Sequence, residues 1–173
     1  MKKLVIILTG LFLTTFAVQN VKADGNPVES ATASSSATII APLEIQNVNP
    51  LLFGNIIADA DGGAVTVYAN GTATLYDGVV APTGFEGTNQ PATFTVSGAI
   101  GATYNITLPG DVTITDNVSG ESMSLSDFTS TPDAQSTLDA TSETLTVGAT
   151  LNVEPDQAAG TYEGTFDVTV QYN

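Results

Sequence analysis

A chain of 173 residues with no Cys, His or Trp sets 3 Lys or Arg against 18 Asp or Glu, a formal net charge of −15 at pH 7. Its basic residues are Lys2, Lys3 and Lys22, so everything from Asp24 onward carries the whole acidic complement and no cationic side chain. That inventory excludes Ser-His-Asp and Cys-His catalysis, a Lys nucleophile, an arginine clamp and zinc held by Cys or His, and it repels nucleic-acid phosphate and anionic lipid heads.

In chain order, residues 1–23 read as a secretory signal peptide. Met1-Lys2-Lys3 is positive, and the apolar run Leu4–Val18 is about 15 residues, short of the roughly 20 that span a bilayer. Val21 and Ala23 stand third-last and last before an expected cut between Ala23 and Asp24, the layout of an exported precursor. The expectation is therefore an extracellular or cell-surface protein with no membrane span in the mature chain. Residues 24–36 (DGNPVESATASSS) are small and polar, a tail whose composition cannot pack.

From Ala37 the hydrophobic period is two. Ile39, Ala41, Leu43 and Ile45 alternate with Thr38, Ile40, Pro42 and Glu44; Ala92, Phe94 and Val96 with Thr93, Thr95 and Ser97; Tyr104, Ile106 and Leu108 with Thr103, Asn105 and Thr107. Leu145 to Val153 alternates in the same way, and Gly160 to Asn173 does so to its last residue. Alternation sends one set of side chains to a core and the other to water, and the polar set is rich in Thr, which suits an exposed strand. Turn dipeptides at Gly62-Gly63, Asn70-Gly71, Asp77-Gly78, Pro109-Gly110 and Ser119-Gly120 separate the runs. No window beyond residue 23 holds helical spacing over two turns. The pattern predicts an all-β protein, a single antiparallel β-sandwich of immunoglobulin-like type over residues 37–173. About 150 residues bury roughly 68–70% of their unfolded surface, enough for one core without disulfides.

Chemistry is sparse along these strands. Asp59-Ala60-Asp61-Gly62 forms a D-x-D-G turn whose Asp59 and Asp61 oxygens suit a hard cation, and calcium is the one metal to weigh there. A calcium loop also needs a third acid and a closing Glu, and position 70 is Asn. The other reading of those residues is an ordinary Asp/Gly hairpin turn. Paired carboxylates can hydrolyse glycosides, yet the chain lacks the Trp platforms that sugar-cleaving clefts use. No catalytic or cofactor-binding residue is assigned, and an enzyme is not expected. The N-x-S/T triplets at Asn70, Asn105 and Asn117 matter only in a host that glycosylates exported protein.

The last strand carries more information. Gly160 lies fourteenth from the end and Tyr172 next to last, which resembles the terminal strand of pilin subunits of the chaperone–usher type. The runs Ala37–Leu43, Leu52–Ile56 and Ala158–Tyr162 resemble an uncharacterised, domain-of-unknown-function family of exported bacterial β-sandwich proteins. The pilin resemblance implies engagement of that strand by an export chaperone and then by related subunits through strand addition. Candidate donor side chains are Ile39, Leu43 and Ile45; Gly160, Tyr162, Phe166, Val168, Val170 and Tyr172 form the strand they or a chaperone would meet. Two departures stand beside this: there is no Cys, and residues 24–36 are not an alternating donor tail. Ala37–Ile45 is accordingly read first as the domain's own opening strand, with donation to another copy as the alternative. The functional expectation is a non-enzymatic structural subunit of fimbria-like assemblies, the alternative a monomeric module binding polysaccharide or calcium.

One expectation follows from charge alone. Mutual repulsion raises folded-state carboxylate pKa values above their unfolded ones, so protonation and screening both relieve the folded state. The melting temperature should rise with added salt and as pH falls from about 7 to about 5, measured by circular dichroism; a melting point flat in both variables refutes it.

Overall fold

The computed structural model describes residues 29–76, 78–84 and 86–173. The expected signal peptide and the Ala23–Asp24 cut lie outside the described residues. The chain divides into two units, Met1–Ala37 and Thr38–Asn173. In the first, residues 29–37 are exposed and carry no strand.

The second unit is all-β, with antiparallel pairing throughout and no helix among the described residues. Its strands are β1 (Glu44–Asn49), β2 (Leu52–Phe53), β3 (Ile57–Ala58), β4 (Gly63–Val67), β5 (Ala73–Tyr76), β6 (Val79–Val80), β7 (Asn89–Gln90) and β8 (Ala92–Ser97). They continue as β9 (Thr103–Thr107), β10 (Val112–Asp116), β11 (Ser122–Thr131), β12 (Gln135–Thr137), β13 (Ser142–Val153), β14 (Tyr162–Glu163) and β15 (Thr169–Tyr172). An 8-stranded sheet runs β1-β8-β13-β11-β10-β14, with β4 on β13 and β5 on β4; a 3-stranded sheet runs β12-β9-β15; β2–β7 and β3–β6 are short ribbons. The all-β expectation holds, with four sheets where a plain sandwich has two.

The 12-residue β13 organises the large sheet. Its first half, Ser142–Val147, pairs with β8, and its second half, Ala149–Val153, pairs with β4. Its other edge carries β11. The hand-over falls at Gly148, where an added Cβ would lie 2.2 Å from the Val67 carbonyl oxygen and 2.6 Å from the Ala69 nitrogen. Only a residue without a side chain admits the end of β4 there.

The two halves of β13 feed two cores. Leu145 and Val147 join Ala92, Phe94 and Val96 of β8 and Tyr104 and Ile106 of β9, so this cluster packs the large sheet against the 3-stranded one. Leu151 and Val153 join Val65, Ile114, Met123 and Leu125 in the other. Phe128 packs against both. It can do so because β11 gains one residue between Ser126 and Thr129, where the register on β13 shifts. Asp127 takes φ 49°, a left-handed conformation that Asp tolerates better than most residues. The bulge reverses strand parity: Met123 and Leu125 face inward before it, Phe128 and Ser130 after it.

Two strand expectations are corrected. Ala37–Ile45 is not one strand: β1 begins only at Glu44, because residues 38–43 meet no neighbouring strand. Gly160–Asn173 is not continuous either. β14 pairs with β10 in the large sheet and β15 with β9 in the small one, so residues 164–168 cross between sheets without a ladder partner.

A polar tie accompanies the first core. Tyr104, fully buried, donates its hydroxyl to Glu143 Oε1 on β13, and Ser136 Oγ on β12 donates to Glu143 Oε2 at 3.2 Å. Burial first, and then the Glu143 carboxylate, push the Tyr104 phenol well above its ordinary value of 10.0, so it remains a neutral donor. With no cation available, a phenol and a hydroxyl do for this carboxylate what Arg or Lys does elsewhere. Tyr104→Phe should cost about 1.5–3 kcal/mol of folding stability, the range for a hydrogen bond to a charged group, read as a lowered urea midpoint; an unchanged midpoint would show that the tie is idle.

Candidate functional site

Strand edges are where an all-β protein meets other chains, because each presents unpaired N–H and C=O groups. β1 ends the large sheet and β15 ends the small one. The two edges lie close together, joined by one side chain. Tyr172 accepts the Ala99 N–H at 2.7 Å and donates its hydroxyl to the Ala41 carbonyl at 3.1 Å. Its position therefore fixes the segment entering β1, the loop after β8 and the strand β15 at once.

The apolar side chains expected in assembly separate into distinct environments. Leu43, Ile45, Phe166, Val168, Val170 and Tyr172 are half-buried and pack against the first core. Ile45 sits opposite Val96, Val170 opposite Ile106 and Tyr172 opposite Tyr104. Phe166 meets the Phe94 ring edge-on at 6.4 Å and Phe128 at 5.1 Å, distances at which aromatic pairs attract. The alternation seen in the sequence survives across residues 164–168 as half-buried Phe166 and Val168 between exposed neighbours, although the backbone there has left the ladder.

Ile39 is not brought to this group. It is 97% exposed and Ile40 is 60% exposed, whereas Leu43, a few residues on, is half-buried. Apolar chain thus continues outward from an edge strand with nothing of its own domain covering it.

Gly160 and Tyr162 serve an internal contact. An added Cβ at Gly160 would lie 2.8 Å from the Asp116 carboxyl carbon, so glycine lets that carboxylate pack beneath the chain entering β14. Tyr162 pairs with Asp116 across β14–β10, donates to the Ala158 carbonyl at 2.7 Å and accepts from Gln157 Nε2 at 2.8 Å. Asp116 is 4% exposed, and its Oδ2 accepts both Ser119 N–H at 2.8 Å and Ser119 Oγ at 2.6 Å. Sequence reasoning passed over Asp116; its signal was the D-x-x-S-G turn, a short acid beside a hydroxyl three residues on.

Asp59 and Asp61 form a turn. Asp59 Oδ1 accepts the Asp61 N–H at 2.9 Å, and the Asp59 carbonyl accepts the Asp156 N–H at 3.0 Å. Among the described residues no group of three or more His, Cys, Asp or Glu is placed to hold a metal ion. No helix among them is long and apolar enough to cross a membrane.

The Ser119 hydroxyl, then its backbone N–H, hold Asp116 below its ordinary value of 3.8. A carboxylate whose folded pKa is depressed stabilises the fold above its unfolded pKa, and that contribution is lost as pH falls through the folded one. The melting temperature should therefore fall between about pH 4 and about pH 2, the reverse of the trend expected nearer neutrality. Asp116→Asn should flatten this acid limb in a pH series of thermal melts; an equally steep limb would clear Asp116 of the effect.

A family model described as Domain of unknown function (DUF4402) matches residues 43–172. No curated protein and no solved structure matches the chain.

Proposed function

The chain belongs to the DUF4402 family, a domain of unknown function, and from that premise we propose that it is a non-enzymatic structural subunit, acting outside the cell, that assembles with further copies by β-strand addition. The observation that carries this reading is the exposed apolar segment preceding β1. Ile39 and Ile40 stand in water on residues 38–43, which have no strand partner and lead straight into an edge strand. Covering such a side chain is worth about 1.5–3 kcal/mol when fully buried, so a surface that accepts both gains from doing so.

The acceptor is the edge formed by residues 164–168 and β15. Its backbone is open on the side away from β9, and Phe166, Val168 and Val170 are only half-buried. Main-chain hydrogen bonds would supply affinity and alternating side chains the register. Donor and acceptor are different patches of one surface, so a non-reciprocal contact is head-to-tail and extends as a filament wherever its rotation does not close a ring. The absence of Lys, Arg and His from residues 24–173 supports both parts of the reading: it removes the usual catalytic groups, and it leaves trypsin-like proteases no site. Leu43 and Ile45 are assigned to the subunit's own core in this scheme, and Ile39 with Ile40 to the donor.

Replacing both exposed side chains (Ile39→Asp with Ile40→Asp) leaves β1 and the core intact, so it separates assembly from folding. Wild-type protein should form species growing with concentration in sedimentation velocity, and the double variant should be monomeric with an unchanged melting temperature. A wild-type chain that stays monomeric at millimolar concentration would sink the proposal, as would a variant that loses its fold.

A further inference from the structure

The outward face of the large sheet holds a second feature, away from the assembly edges. A shallow depression of about 390 Å³, within the usual size range of small-ligand sites, is lined by Thr66, Tyr68, Tyr76, Asp127, Thr129 and Thr150. Each of these side chains ends in a hydroxyl or a carboxylate. They come from different strands: Thr66 on β4 with Tyr68 just beyond it, Tyr76 on β5, Asp127 and Thr129 on β11, Thr150 on β13. An exposed Thr row is ordinary for a solvated sheet; a converged tyrosine pair beside an aspartate re-aimed by a bulge is not.

Two observations fix that convergence. The Tyr68 and Tyr76 hydroxyls bond each other at 2.8 Å, and Thr66 Oγ1 and Thr150 Oγ1 do the same at 2.8 Å. Thr66 and Thr74 also hydrogen-bond the Tyr76 hydroxyl, so the two pairs form one network that leaves one phenol hydrogen and several lone pairs for a ligand. Independently, Asp127 sits in the left-handed region at φ 49°, at the register shift on β11. Bulges of this kind re-aim a side chain, and non-glycine residues held there concentrate at functional sites. Ser126 Oγ donates to Asp127 Oδ2 at 3.1 Å, and Oδ1 has no partner among the described residues.

We infer that this depression binds a neutral oligosaccharide. Its lining offers what sugar hydroxyls need, neutral donors and acceptors flanking one carboxylate, with two phenol rings 37% and 43% exposed beside them. The absence of any cationic side chain beyond residue 23 turns away anionic ligands. A metal ion is disfavoured because Asp127 is not part of any group of three acids among the described residues, and hard cations take six or more oxygens. Asp127 accepts from a pair of sugar hydroxyls, the one free phenol hydrogen of the tyrosine pair donates to a ring or hydroxyl oxygen, and Thr129 extends the row.

The test passes the purified full chain through native gels containing neutral glucans, mannans, xylans or galactans, and follows a retained class by titrating its hexasaccharide in NMR. At least one neutral class should retard the wild-type protein, the retardation should persist in high salt, and Asp127→Asn and Tyr76→Phe should each weaken the titration at least tenfold. Asn tolerates the same backbone conformation, and Tyr76→Phe keeps the ring, so both variants should melt as wild type does. Failure of all four classes to bind overturns the inference. So does binding that neither variant weakens, that salt abolishes, or that Tyr76→Phe weakens only by lowering the melting temperature.

Discussion

The fold depends on one strand being shared by two neighbours along a single edge. β13 is long enough to give its first half to β8 and its second to β4, and Gly148 at the junction leaves room for the chain that ends β4. A side chain there would overlap the Val67 carbonyl, and one of the two strands would have to retreat. Because the halves project Leu145 and Val147 into one cluster and Leu151 and Val153 into the other, the same strand is the common wall of both cores. The parity change at Asp127 on β11 is the matching adjustment: it keeps inward side chains inward as the partner passes from one cluster to the other.

Charge imposes a second constraint. With carboxylates distributed over the chain and no cation beyond residue 23, no side-chain salt bridge can form in the second unit. The two best-buried carboxylate contacts are made with hydroxyls and backbone N–H groups: Glu143 with Tyr104 and Ser136, Asp116 with Ser119. Both serve packing. Glu143 ties the small sheet to the large one, and Asp116 closes the β10–β11 hairpin beneath Gly160. The other acids among the described residues are exposed, where repulsion is screened but not compensated.

The edges follow from the same arrangement. The chain that closes the second core as β14 must leave the large sheet to complete the small one as β15, and in crossing it exposes backbone at residues 164–168. β1 occupies the other nearby edge, and the chain before it has no strand partner and leaves Ile39 and Ile40 exposed. The open edge at residues 164–168 thus arises from a crossover between sheets, and the exposed isoleucines from a segment without a strand partner, both consequences of topology more than of local propensity.

Much of this was legible in the sequence. Period-two alternation placed the strands around Ala92–Ser97, Thr103–Thr107 and Ser142–Val153 and their inward residues, because burial of one face is enforced locally, residue by residue. Composition alone showed that residues 24–173 hold no His, Cys, Lys or Arg, since that needs no knowledge of where a side chain sits. It did not reveal that Ala37–Ile45 divides into an exposed segment and a strand, since alternation states which residues are apolar and not whether a partner stands beside them. Gly160 and Tyr172 were visible as markers but not as an Asp116 contact and a bolt to Ala41, for each partner lies far off in the chain. The depression under Tyr68, Tyr76 and Asp127 was hidden for the same reason. Its residues are dispersed over four segments, and only the register of β5, β4, β13 and β11, together with a one-residue bulge, sets them side by side. Sequence determined the alternating inward residues of the central strands and the missing cations; tertiary pairing decided the division into two cores, the edges and the face, because a β-sheet joins residues by register across the chain and not by distance along it.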